Sequence, residues 1–259
     1  MKLMINHQTH YQYSEIAKNS IQYIRMTPQT NDHQKVLSWA ISVPGQQVEQ
    51  RDPFDNVWLV STQRYAYQNL SIMAQGIVEI NPDADQAIGS AIHPLLFLQV
   101  TPSTVSDAEM RAFAAQYVAK PSRFSLIELS AALLEHMPYI PESTSVSTTA
   151  VEAFHQQHGV CQDHTHVFLA MCRALHIPAR YVSGYLHVPH SSHLASHAWA
   201  EAYIDQQWYS FDVSNQLFTP SSHIYIATGR DYWDVAPVRG IRELGGIESM
   251  SSIVQVLPC

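Results

Sequence analysis

The chain has 259 residues, 46% of them hydrophobic, which is enough to form a packed core in one large domain or in two modest ones. Its formal net charge of −8, without a basic cluster, argues against nucleic acid and against an anionic membrane surface as partners. Polar residues interrupt the first eight positions, so no secretory signal is expected, and three cysteines suit a reducing compartment rather than a disulfide framework. These features favour a soluble protein of the cytoplasm.

The first 82 residues are predicted to form a β-rich domain. Four stretches read as strands separated by polar or Pro/Gly breaks: residues 9–25, 35–43, 56–62 and 69–80. Several strands in succession favour a small β-sandwich-like unit, which ends at Asn81-Pro82-Asp83. Residues 83–105 then read as an extended connector, and its uncharged part is a poor membrane-spanning helix because it contains two prolines.

The remaining residues, 106–259, are predicted to form a second domain. A helix start is expected near residue 106, and helices dominate to about residue 158. A further helix, rich in apolar residues, is predicted from Cys161 to about residue 176, and Pro178 stops it. Two alternating stretches, residues 197–204 and 208–213, are predicted to pair as a hairpin across a polar break.

Cys161 stands at the predicted start of a helix, just after a turn that Gly159 permits. The free N–H groups and the positive end of the helix dipole stabilise an anion there, so this position favours a thiolate and offers a donor to an oxyanion. A thiolate is the nucleophilic form of cysteine. Asp163, in the same first turn, has two interpretations: it belongs to a reactive site, or it only stabilises the start of the helix.

His197 and Asp212 are the candidate base and its orienting carboxylate. His197 opens the first strand of the predicted hairpin, and alternate residues of that strand are small, which suits close packing against a helix. A register centred on Gln206 places Asp212 opposite Ala200, near His197 but in need of a twist or bulge to reach it. An imidazole held by a carboxylate activates a nearby thiol, so the three residues predict a cysteine acyl-transfer enzyme.

Several spaced motifs resemble the bacterial transglutaminase-like superfamily. They are Gly-Val-Cys-Gln-Asp from residue 159, the run at residues 173–185, His-Ala-Trp-Ala-Glu from residue 197 and Gly-Arg-Asp-Tyr-Trp-Asp-Val-Ala-Pro from residue 229. The resemblance implies an α+β fold with a papain-like core, in which the helix bearing the cysteine packs on an antiparallel sheet after a small β domain. It also implies that Cys161, His197 and Asp212 form a catalytic triad, without a cofactor. The chain departs from the family pattern at Val213-Ser214 and at Asp55, where Pro-Thr and Gly are usual.

The expected reaction proceeds through a thioester acyl-enzyme formed on a peptide or protein amide. Water or a second amine then accepts the acyl group, which separates a thiol protease or amidase from a transglutaminase. We expect hydrolysis to dominate, because no amine tunnel and no calcium-binding loop of carboxylates is evident in the sequence, and because the bacterial relatives are commonly regarded as cysteine proteases.

Two other classes of protein remain open. The first is a protein-glutamine transamidase or a non-catalytic binding module on the same fold. The second is a metal-dependent enzyme or a metal-binding protein, since imidazole is a common zinc ligand. The histidines that raise this second possibility are His164, His166, His187, His190, His193 and His197. No carboxylate or paired-cysteine spacing completes a defined metal site among those in the Pro/Ser-rich stretch, so no metal is expected.

Overall fold

The computed structural model describes residues 1–189 and 196–259. Its strands are β1 (Lys2–Ile24), β2 (Gln34–Ser42), β3 (Gln46–Arg51), β4 (Val57–Gln63), β5 (Tyr67–Ile80), β6 (Ala179–Leu186), β7 (His197–Ile204), β8 (Gln207–Phe211), β9 (His223–Gly229), β10 (Val238–Leu244) and β11 (Glu248–Pro258). Its helices are α1 (Ala108–Tyr117), α2 (Arg123–His136), α3 (Ala150–Gln156), α4 (Cys161–Ala174) and α5 (Tyr232–Val235), with short 3-10 helices at Pro94–Leu98 and Pro102–Thr104. Within the described parts of the chain, none of the helices has the length and apolarity needed to span a bilayer.

A seven-stranded antiparallel sheet contains the N-terminal strands in the order β2-β5-β1-β4-β3, and β10 and β11 also pair with β1. The long strand β1 pairs with β5 and β11 along its first half and with β4 and β10 along its second half. The sheet curls, because apolar side chains from both halves pack together: Ile24 and Ile72 are buried in one cluster, and the partly buried Leu59 and Val238 pack against it. This arrangement forms the β-sandwich-like unit predicted from the sequence.

The end of the chain returns to this first sheet. Strand β11 pairs with β1 from Leu3 to Tyr13, and Val254 and Val256 are buried in the same cluster as Leu3 and Ile5. The sequence-based division had residues 106–259 in the second domain, whereas β10 and β11 add to the N-terminal sheet. Strand β3 was not predicted either, because it contains a single apolar residue and all of it is exposed.

The second sheet is four-stranded and antiparallel, with the order β8-β7-β6-β9. The alanines of β7 are buried together with Phe168 and Met171 of α4, so the small-residue side of this strand lets the helix approach closely. The helix that begins at Cys161 therefore packs on an antiparallel sheet, and the predicted α+β fold class is confirmed.

Side chains of the N-terminal unit bind the outer edge of β9. The amide of Gln34 accepts the N–H of Tyr225 at 2.7 Å and donates to its carbonyl at 2.8 Å. Asn56 makes the same pair of bonds with Thr228, both at 2.8 Å, and His33 Nε2 donates to the carbonyl of His223 at 2.9 Å. These side chains satisfy the backbone groups that an edge strand otherwise leaves free.

Replacing Gln34, which is buried, should therefore destabilise the whole protein. Gln34→Ala leaves the buried N–H and carbonyl of Tyr225 without partners, and we expect the free energy of unfolding to fall by about 2–4 kcal/mol. Urea unfolding followed by circular dichroism measures the change. The matched control Gln12→Ala, at an exposed position of β1, should change it by less than about 0.5 kcal/mol. Equal effects of the two substitutions would contradict the role of Gln34.

Candidate active site

Cys161 is the first residue of α4, and a tight turn holds it there. Asp163 Oδ2 accepts the N–H of Val160 at 2.8 Å and the hydroxyl of Thr144 at 2.6 Å. A Cβ on Gly159 would lie 2.7 Å from Cβ of Asp163, so only glycine fits beside this carboxylate. Burial raises the pKa of Asp163 above its usual range, although both hydrogen bonds oppose the shift. The bonds of Asp163 go to the turn, which favours the structural interpretation of this residue.

A second segment supports the same turn from outside. The backbone of Tyr139 forms a parallel bridge with Gly159, and the N–H of Ile140 donates to the Gly159 carbonyl at 3.0 Å. Gln162 donates from its amide to the carbonyl of Val146 at 3.1 Å. The thiol of Cys161 is thereby fixed at a helix N-terminus, partly exposed, where the helix dipole favours a thiolate.

His197 lies between this thiol and Asp212. Its Nε2 donates to Asp212 Oδ2 at 2.7 Å, which leaves Nδ1 for the thiol. Burial lowers the pKa of His197, but the charge and hydrogen bond of Asp212, together with those of Cys161, raise it above the usual value. The imidazolium form of His197 is therefore favoured at this position. The structure brings the three predicted site residues together.

The hairpin register that joins His197 and Asp212 differs from the predicted one by a single residue. Ala200 pairs with Phe211, so Asp212 follows on the face of the sheet that carries His197. The turn consists of Asp205 and Gln206, both with positive φ, at 50° and 64°, which is the two-residue type I′ geometry. No bulge is needed, because this shorter turn shifts every later side chain to the opposite face.

Asp212 is completely buried, and two further residues donate to it. Asn215 donates from its amide to Oδ2 at 3.0 Å, and His223 Nε2 donates to the same oxygen at 3.1 Å. Burial alone would raise the pKa of Asp212, but the charge and hydrogen bond of His197, and the hydrogen bond of His223, lower it well below the usual range. Asp212 is therefore held as a carboxylate.

His223 belongs to this site but was not predicted from the sequence. Its strand follows Asp212 by eleven residues and carries no motif, so only the sheet order reveals the contact. Asn215 belongs to the segment where the chain departs from the family pattern, and the departure is accommodated. Val213 is buried, and the hydroxyl of Ser214 is 2.8 Å from Nδ1 of His164.

Of the histidines considered for a metal site, His197 joins a cluster of possible ligand atoms in the described residues. His164 is hydrogen bonded through both ring nitrogens, and His166 Nε2 accepts the N–H of Tyr232 at 3.1 Å. His190 and His193 lie outside the described residues. The nitrogen and oxygen ligand atoms that do converge within 4.8 Å belong to His197, Asp212 and His223. These residue types suit a divalent metal, and in this structure the two histidines hydrogen bond to Asp212 at 2.7 and 3.1 Å.

Side chains of the motif that begins at residue 229 stabilise the turn that the motif forms. Asp231 accepts the N–H of Trp233 at 2.9 Å at the start of α5, and Asp234 accepts from both the backbone and the guanidinium of Arg230. The N–H of Tyr232 in the same turn donates to His166 of α4. These contacts connect the motif to the helix that carries Cys161.

The fold and the site define a papain-like thiol arrangement, and comparisons with known proteins agree with this class. Residues 3–79 match the family model of the bacterial transglutaminase-like N-terminal region, and residues 111–213 match that of the transglutaminase-like superfamily. Residues 111–213 therefore form a transglutaminase-like core, as the sequence motifs predicted.

Related proteins extend over nearly the whole chain. An uncharacterized protein of Mycobacterium leprae is 27% identical over 274 residues, covering 98% of each chain. One from Mycobacterium tuberculosis is 27% identical over 288 residues, covering 98% of this chain and 92% of its own. A crystal structure described as "a Putative Cysteine Protease from Cytophaga hutchinsonii" has the same fold, with a TM-score of 0.81 at 22% identity over 99% of this chain and 90% of that one.

The site geometry predicts that one of the three cysteines is selectively reactive. Cys161 should react with iodoacetamide at pH 7 at least about a hundredfold faster than Cys172, because Cys172 is completely buried and burial raises its pKa. Cys259 is exposed, but it follows a strand rather than beginning a helix, and should also react slowly. Peptide mapping by mass spectrometry gives the three rates. A rate for Cys259 equal to that of Cys161 would show that Cys161 is not activated.

Proposed function

We propose that the protein is a thiol enzyme that cleaves peptide or protein amides with a Cys161, His197 and Asp212 triad. The observation that carries this proposal is the 2.7 Å bond from His197 Nε2 to a buried carboxylate, with the other ring nitrogen left for a thiol at the start of a helix. Nucleophile, base and orienting group then stand in the order that covalent acyl transfer needs.

The reaction begins when the Cys161 thiolate forms an S–C bond with the amide carbonyl carbon. The N–H of Cys161, at the N-terminus of α4, is directed to the developing oxyanion. The proton on His197 Nδ1 passes to the leaving amine as the C–N bond breaks, which leaves a thioester on Cys161. A water molecule then attacks the thioester, His197 Nδ1 takes its proton, and the carboxylic acid product leaves as the thiolate forms again.

Asp212 acts through His197 and touches no reacting atom. Its bond to Nε2 selects the tautomer that presents Nδ1 to the thiol, and its charge stabilises the imidazolium. The match to the transglutaminase-like family model supports a thiol enzyme of this type. The three cysteines are unpaired, which suits a reducing compartment such as the cytoplasm.

The exchange Asp212→Asn tests the orienting role. We expect kcat to fall by about a hundredfold or more with the fold retained, because an amide that donates to Nε2 favours the wrong tautomer of His197. Cleavage of a synthetic peptide library, followed by kinetics on the peptides selected, measures this loss. Asp205→Asn in the exposed turn of the same hairpin is the matched control and should leave turnover unchanged. Undiminished turnover in Asp212→Asn would remove this residue from the triad.

Hydrolysis is proposed to exceed transfer to an amine. Incubation of the protein with glutamine-containing peptides and a labelled primary amine separates the two outcomes, because both start from the same thioester. We expect new amino termini or ammonia with little incorporated label, and Cys161→Ala should abolish both products. Dominant incorporation of the amine would identify a protein-glutamine transamidase instead, and failure of every peptide together with an unreactive Cys161 would point to a binding module.

A further inference from the structure

His223 contributes a second imidazole to the buried carboxylate of Asp212. His223 is the first residue of β9, and its side chain is completely buried. Its Nε2 lies 3.1 Å from Asp212 Oδ2, the oxygen that also binds His197. The rings of His197 and His223 have centroids 6.0 Å apart. One carboxylate oxygen thus receives an N–H from each of two histidines.

The proton of His223 must lie on Nε2, because a carboxylate can only accept a hydrogen bond. The other ring nitrogen, Nδ1, is buried and has no hydrogen-bond partner among the described residues. Burial lowers the pKa of His223, and the positive charge of His197 lowers it further, while Asp212 and Glu201 oppose the shift. His223 is therefore a neutral donor, which holds the carboxylate without competing with His197 for the role of imidazolium.

Contacts with other parts of the fold hold His223 in place. Its carbonyl accepts from His33 of the N-terminal unit at 2.9 Å, and its ring packs on Trp199, with centroids 4.6 Å apart. Asp212 lies after the end of β8, in a short turn closed by a backbone bridge to Leu217. A hydrogen bond from an anchored strand residue thus restrains the orientation of a carboxylate on a turn.

We propose that His223 is a positioning residue, which holds the Asp212 carboxylate toward His197 through a neutral Nε2–H bond. This inference rests on the proposed function, because it assumes that the pair of His197 and Cys161 generates the reactive thiolate. A residue that served only the packing of β9 would affect stability, but its donor N–H would be irrelevant to the reactivity of Cys161.

Two neutral amides separate these roles. His223→Gln carries an N–H that reaches to about the position of the histidine Nε2, whereas His223→Asn has the same chemistry but is one methylene too short. We expect His223→Asn to slow alkylation of Cys161 by iodoacetamide at pH 6 by about tenfold, the size of effect expected for a lost hydrogen bond to a charged group. The pH profile of alkylation should shift upward, because a carboxylate no longer held toward His197 supports the reactive thiolate less well. His223→Gln should recover a rate within about threefold of the unaltered protein.

The full chain is used throughout, and urea unfolding of each variant checks that the fold is retained. Equal rates in His223→Asn and the unaltered protein would overturn the inference, as would an equally large loss in a folded His223→Gln. If His223→Asn does not fold, His223→Gln decides alone by retaining or losing the rate. Asp212→Asn, measured in parallel, distinguishes the two proposals: an unchanged profile there refutes the triad itself, whereas a change there but not in His223→Asn refutes only the role of His223.

Discussion

The rest of the site depends on the buried negative charge of Asp212. A carboxylate without contact with solvent is several kcal/mol unstable unless donors surround it, and here His197, Asn215 and His223 all donate to it. Each donor comes from a different part of the second domain: the start of β7, the turn after β8 and the start of β9. The buried charge is stable only where these three elements come together, and this requirement determines the geometry of the site.

The N-terminal unit supports the strand β9, which contributes to this site. Gln34 and Asn56 take the place of a further strand along the edge of β9, and His33 binds the carbonyl of the residue that contacts Asp212. The chain's end, strand β11, closes the same unit by pairing with β1. The sheet that carries His197 and Asp212 is thus supported from outside by side chains that belong to the other domain.

Local signals in the sequence identified the helix start at Cys161, because Gly159 and an apolar helical pattern are adjacent there. They did not give the hairpin register, since two residues with side chains, Asp205 and Gln206, adopt positive φ without a glycine to indicate it. Contacts between residues far apart in the chain left no sequence pattern either. The pairing of β11 with β1 and the bond from His223 are of this kind.

The proposed site requires that Asp212 and a thiolate at Cys161 keep His197 protonated. Nitrogen-15 NMR of the histidine rings across a pH titration measures this directly, before and after the thiol is blocked as a neutral methyl disulfide. The account predicts that His197 titrates well above the ordinary imidazole value of about 6.5 and that blocking the thiol lowers its pKa. A His197 that titrates near the ordinary value, with no response to blocking, would contradict it.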